Sequence, residues 1–315
     1  MAVVTQDTGE GEFYTGIPKK VSWERIWAFS GGPYTLVGWP KKNIHTDIEY
    51  ARACGLPDNK VAVSATQFQG YLAQLMIDLF GIAWLSCGTL DVKFIRVVNA
   101  GDTITSGATV HRKETKEHAT RFSLDVECKN QDGENVLVGK STGEIGETFT
   151  DMLQVYNKRL TEVKDYCSQL AQPGDTSPEP LEYHVTPEFN QQFLFAEEDF
   201  SSYYLEGING GDPVVHPALL LNWSNDTRSP SYKAASLQSG QDISAIIHTR
   251  DETFFINPVR VGKKLQVTWN PVGSYEKRGR PYSVSEILVV DEDGVEIIRR
   301  IYYTTKASLE YRLQD

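Results

Sequence analysis

Between Ser64 and Gly81 the apolar residues Ala65, Phe68, Leu72, Leu75, Met76 and Leu79 recur at steps of three and four. That is one face of a 3.6-residue period, so the spacing predicts a helix that needs an apolar surface to lie on. Ser64 is placed to cap its first amides. From Gly88 to Gly146 the pattern changes to strand-like runs, "TLDVKFIRVV", "TITSGATVHRKET", "ATRFSLDVECKN" and "ENVLVGKSTGEI", with turns at Asn99 to Asp102 and at Asp132-Gly133. An Asp-Gly step between β-rich runs is a strong hairpin signal. One long helix followed by antiparallel strands predicts an α+β unit, a sheet wrapped round its helix. Upstream, residues 1 to 20 read as an extended leader and "VSWERIWAFSGG" (21 to 32) as a helix capped by Ser22 and ended by a glycine pair. Asp47 to Cys54 reads as a short helix followed by a turn over Gly55 to Asn59.

The pattern then recurs. "RVVNAGDTI" (96 to 104) reads against "NPVRVGKKL" (257 to 265), and "NQDGENVLV" (130 to 138) against "DEDGVEIIR" (291 to 299). Gly101 answers Gly262, Asp132-Gly133 answers Asp293-Gly294 and Phe94 answers Phe255, each 161 residues on and without a gap. A fixed offset held by separate landmarks indicates duplication. His216-Pro217 precedes an apolar run and takes the place of the central helix start in the second copy, followed by a polar stretch over 226 to 241. "DMLQVYNKRLTEVKDYCSQL" reads as a surface helix and "QPGDTSPEP" (172 to 180) as a Pro-rich connector. The expected division is a first repeat over 1–150, a linker over 151–180 and a second repeat over 181–315.

With 315 residues and 40% hydrophobic content the chain can bury a sizeable core. Its net charge of −11 argues against nucleic acid or an anionic membrane as partner, since both need a basic footprint. A small anionic ligand needs only a local cluster, such as Lys41 with Lys42, or Lys277, Arg278 and Arg280. Cys54, Cys87, Cys128 and Cys167 are far apart and read as free thiols in a reducing compartment. The polar N-terminus lacks the regions of a secretory signal and no run is long and apolar enough to cross a bilayer, so a cytoplasmic protein is expected.

The segments "NIHTDIEYAR" (43 to 52), "QGYLAQLMIDLFG" (69 to 81) and "LDVKFIRVVNAGDTITSGATV" (90 to 110) resemble the MaoC-like hydratases and dehydratases. That resemblance implies a double hot-dog fold: two tandem repeats, each a central helix wrapped by an antiparallel sheet. It also implies a hydro-lyase that adds or removes water at an enoyl or 3-hydroxyacyl thioester, or at a related conjugated carbonyl compound. Such chemistry needs a base for the water, an acid for the α-carbon and donors for the enolate oxygen, which free amides at a helix N-terminus supply.

In this resemblance His45 matches the family's catalytic His and Asp47 a position where an acid is common. The family's catalytic Asp stands five residues before the His, and here that residue is Pro40. Asn43, His45 and Asp47 are the catalytic candidates. Ser64, Ala65, Thr66 and Gln67, with Tyr34 and Trp39 as walls, are the substrate-binding candidates, Gln69 is a further polar residue near that end, and each of the two glutamines either lines the tunnel or faces solvent. Plainer roles stand beside these: His45 holding its loop, Asp47 capping a helix, the aromatics in a core. In the second half Asp212 precedes His216 by four residues, either as a dyad or as a loop acid beside a capping imidazole.

His111, His118, His184 and His248 have no metal-like spacing, so no metal is expected, and the chemistry needs no cofactor. The alternatives are a hot-dog thioesterase, or a degenerate subunit that supports an active partner. A homodimer is compatible with a doubled unit.

Overall fold

The computed structural model describes residues 3–53, 56, 60–147, 150–167, 180–208, 210–226 and 246–306. In chain order the elements are β1 (Phe13–Thr15), β2 (Lys19–Lys20), α1 (Trp23–Ser30), α2 (Ile48–Ala53), α3 (Ala65–Phe80), a 3-10 turn (Ile82–Ser86), β3 (Thr89–Phe94), β4 (Thr103–Lys116), β5 (Ala119–Lys129) and β6 (Asn135–Gly146). Then come α4 (Met152–Cys167), β7 (Leu181–His184), α5 (Pro187–Glu197), α6 (Ser202–Leu205), α7 (Pro217–Asp226), β8 (Ile246–Phe255), β9 (Lys264–Lys277), β10 (Arg280–Asp291) and β11 (Glu296–Lys306). Cys54, all but Leu56 of the turn expected over Gly55 to Asn59, all but Pro180 of the connector, and the polar stretch after Asp226 lie outside the described residues.

The strands form one antiparallel sheet in the order β1-β4-β5-β6-β3-β8-β11-β10-β9-β7, with β2 also on β4. The duplication is visible in it: five strands of the first repeat on that path meet five of the second across the β3–β8 seam, where Thr89 faces Phe254 and Lys93 faces Arg250. Arg250 grips Asp91 across that seam through two bonds of 2.8 and 2.7 Å.

Local geometry repeats with the sequence. Gly101 and Gly262 adopt φ of 95° and 97°, and Gly133 and Gly294 adopt 76° and 79°, a left-handed conformation that glycine takes without a Cβ penalty. The Asn130 and Asp291 side chains each accept two backbone amides in the turn before β6 and β11. The helices repeat too: Ser22 caps α1 and Thr186 caps α5, each through the amide three residues on. Val63 bonds Val98 just before α3, and Val215 bonds Val259 just before α7.

α3 and α7 run antiparallel along the inner side of the sheet, Thr66 beside Asn222 and Gly70 against Ala218. The periodicity predicted one apolar face for α3, but sheet, α5 and α7 cover it nearly all round, so Thr66, Gln67 and Gln69 are buried as well. The solvent-facing alternative for both glutamines is therefore overturned. On the outer side of the sheet α4 sets Met152, Tyr156, Leu160 and Val163 against Phe254, Val272, Val284 and Ile301 of the second repeat. Cys87, Cys128 and Cys167 are free and buried. Among the described residues no helix is long and apolar enough to cross a membrane.

Candidate functional site

After α1 the chain runs through residues 31 to 47 before α2, and two polar side chains, Asn43 and Thr46, shape the end of that loop. Asn43 Nδ2 donates to the Ser30 carbonyl at 2.8 Å and to Lys41 O at 3.3 Å, while its Oδ1 accepts the His45 amide at 2.8 Å. Thr46 Oγ1 accepts the Asn43 amide at 3.0 Å and donates to Lys41 O at 2.6 Å. The loop end is thus tied to the last residue of α1.

These bonds set the His45 ring, whose Nδ1 lies 2.7 Å from the Ala62 carbonyl. A carbonyl can only accept, so Nδ1 carries the proton and Nε2 is the basic nitrogen of the neutral ring. Ala62 is itself fixed, bridging to Asn99 two residues before the α3 N-cap. The imidazole is therefore anchored to the segment that leads into α3.

Asp47 accepts the Tyr50 amide at 2.8 Å and pairs with Lys42 at 3.3 Å. The Tyr50 amide above all, helped by Lys42, holds its carboxyl below the usual carboxylate range. Its geometry is that of a cap on α2.

At the α3 start, the Ser64 hydroxyl lies 3.0 Å from Thr66 Oγ1 and makes no bond to the helix amides, unlike the expected cap. Ala65 and Thr66 follow it in the first turn, ahead of the Gln67 amide, which donates to the Ser64 carbonyl at 2.9 Å; the amides that open a helix have no carbonyl of the helix before them to bond. Gln67 turns away, donating to Tyr71 Oη and Ala196 O, each at 3.3 Å. Gln69 donates to Thr253 on β8. Tyr34 is 46% exposed and its amide donates to Gln192, while Trp39 donates to Gly32 O within the loop. The structure thus sets His45 beside the lead-in to Ser64, with Asn43 and Asp47 bonded within the His45 loop and its flanking helices, and sends Gln67 towards α5.

The fold matches solved structures over nearly its whole length. A Chloroflexus aurantiacus protein described as a MaoC-domain dehydratase aligns over 96% of this chain and 97% of its own at a TM-score of 0.64 and 10% identity. A conserved hypothetical protein from Mycobacterium tuberculosis, described as having a double hot-dog fold, aligns over 96% and 97% at 0.61 and 10%. The chain is a double hot dog.

A further match, a Lactobacillus plantarum protein described as an oleoyl thioesterase, covers 95% of this chain and 98% of its own at a TM-score of 0.51 and 11% identity. No protein-family model matches the sequence, and no curated protein matches it. The MaoC-like dehydratases are this double hot dog's structural neighbours, and the likeness carries the fold.

In the second repeat the position of Ser64 is taken by His216, and the shorter loop over 198–213 holds no histidine. His216 Nδ1 accepts the Ala218 amide at 3.1 Å, capping α7, and Nε2 donates to Asp199 at 3.2 Å. Asp212 is not its partner; it lies on the surface, and its carbonyl accepts Arg260. Burial keeps the His216 ring below the ordinary histidine range despite Asp199.

A second imidazole and carboxylate meet on β8. A β-bulge at Thr249 turns His248 to the face of Asp251, with Nε2 3.3 Å from Oδ2 but not aligned for a hydrogen bond. Arg300 grips Asp251 from β11 and donates to Leu221 O on α7 at 2.7 Å. Sequence spacing identified neither partner. The one available signal was "LFAEEDF" (194 to 200), acids inside an apolar run. Among the described residues no group of three or more His, Cys, Asp or Glu is placed to hold a metal.

Proposed function

We propose that this double hot dog is a hydro-lyase of the MaoC type, adding or removing water at an enoyl or 3-hydroxyacyl thioester or a related conjugated carbonyl compound. The observation that carries the reading is the 2.7 Å contact between His45 Nδ1 and the Ala62 carbonyl, which leaves Nε2 as a base beside the lead-in to a helix N-terminus. In the hydration direction His45 Nε2 takes a proton from water as oxygen attacks the β-carbon. The first amides of α3, at Ser64, Ala65 and Thr66, stabilise the enolate oxygen, and His45 returns the proton to the α-carbon. Asn43 holds the ring's backbone, and Asp47 acts through the loop by anchoring α2. Tyr34 and Trp39 are proposed to border the substrate.

The reading places one site in the first repeat (1–150), a linker over 151–180 and a supporting second repeat (181–315). It has the enzyme act in the cytoplasm, without cofactor, as a monomer or homodimer. Purified protein added to crotonyl thioester should bleach the enoyl band in the ultraviolet without releasing free thiol. Thiol release without loss of that band would instead support the thioesterase reading. Silence in both assays, reversed by an added partner chain, would support the degenerate subunit.

A further inference from the structure

Lys19 lies in β2, paired with Ile104 of β4, and its side chain reaches Gln74 of α3. The segment Gly16 to Lys19, together with Ser106, Tyr71, Gln74, Leu75, Asp78 and Glu198, lines an open cavity of about 230 Å³. No residue of the His45 loop borders it. The volume is below the roughly 300 Å³ at which drug-sized sites begin, so the occupant is a molecule of a few carbons.

The side chain of Lys19 is only 5% exposed, and its bonds go to neutral acceptors: Gln74 Oε1 and the backbone carbonyl of Glu197. Its Nζ also stands 4.9 Å from the centre of the Tyr71 ring. Among the described residues no carboxylate oxygen lies within ion-pair distance of it. A buried ammonium held only by neutral groups loses much of its hydration without a countercharge in contact.

The surrounding charges have been set against that burial. Glu197 faces Lys19 from α5, Glu198 and Asp199 from the turn after it, and Asp78 from α3; Glu198 is itself neutralised by Arg25 of α1. Burial outweighs their combined pull and holds Lys19 below the ordinary lysine range. Both carboxyl oxygens of Glu197 lack a hydrogen-bond partner, and burial pushes that acid well above its ordinary range.

We propose that Lys19 is a nucleophilic amine that holds a small aldehyde or ketone in this cavity as a Schiff base. The Nζ lone pair bonds the carbonyl carbon and one Nζ proton passes to the oxygen, giving a carbinolamine. The second Nζ proton then leaves with that hydroxyl as water, and a C=N bond remains. Atoms and charge balance with no oxidant, reductant or metal. Desolvated lysines act in this way because the free amine, not the ammonium, carries the lone pair. The site is independent of His45 and of the hydro-lyase reading.

The test uses the intact wild-type chain at neutral pH with acetaldehyde and cyanoborohydride, which reduces any Schiff base to a stable ethylamine. Peptide mass spectrometry then reads each lysine. Lys19 is expected to be ethylated at least tenfold faster than exposed Lys158, with the difference abolished in urea-unfolded chain. Ethylation of Lys19 no faster than Lys158 in the folded protein, or an equal advantage in urea, overturns the proposal.

Discussion

His45 Nδ1 and the Ala62 carbonyl oxygen are 2.7 Å apart, and this one contact fixes both the tautomer of the ring and its place beside the lead-in to α3. His45→Gln should therefore lower hydration of crotonyl thioester by about 10² to 10⁴-fold, the usual span for removing a general base. The melting temperature should move little, because the loop retains its Asn43 and Thr46 bonds. Turnover within twofold of wild type would remove His45 from the mechanism.

Asn43 orders that loop through its two side-chain donations and one acceptance. Asn43→Ala should cost about 1–3 kcal/mol in urea unfolding, the range for leaving buried partners unpaired. It should also reduce kcat more than it raises KM, since the imidazole loses its orientation rather than the substrate its pocket. An unchanged unfolding midpoint would show that the loop is held elsewhere.

Gly70 lets α3 and α7 touch. A Cβ there would come within 2.5 Å of Glu197 Oε2 and 2.8 Å of the Ala218 Cβ. Gly70→Ala should destabilise the protein by about 1–3 kcal/mol through overpacking, despite the better helix propensity of alanine. Chemical denaturation reads the effect directly.

Arg300 and Asp251 form an ion pair with no solvent exposure. Arg300→Met should cost about 3–5 kcal/mol, because it strands a buried carboxylate. The double variant Asp251→Asn, Arg300→Met should recover part of that loss in the same urea titration. Equal losses in the two variants would show that the stranded charge is not the cause.

Burial pushes the Glu197 acid well above its ordinary range. As pH rises past the ordinary glutamate range the unfolded chain gives up this proton while the folded chain keeps it. The folded state then binds more protons, so this residue's contribution to stability falls with rising pH through that window. Glu197→Gln should flatten the decline. Urea midpoints measured from about pH 5 to about pH 8 give the slope, and identical slopes in both proteins would exclude Glu197 as its source.

Much of the fold was legible because its signals are local. Gly101 and Gly262, and Gly133 and Gly294, mark turns whose left-handed backbone depends on a few neighbouring residues, so the duplication stood in the sequence at a fixed spacing. The α3 period was equally plain, since its apolar face follows from 3.6 residues per turn. The positive φ of Glu117 and Arg278, also 161 residues apart, belongs to the same duplication but sits on residues that give no turn signal.

By itself the sequence determined two copies of a helix and an antiparallel sheet, and a histidine loop ahead of the first helix. Tertiary structure alone decided which charges meet: Asp199 with His216, Lys19 with the Glu197 carbonyl, and His248 turned by a bulge towards Asp251. Lys19 and Glu197 come from different repeats, and their contact follows from how the two central helices pack and how the sheet edge crosses over them. Local periodicity encodes which face of an element is apolar; it does not encode which polar atoms are shut in together when those faces close.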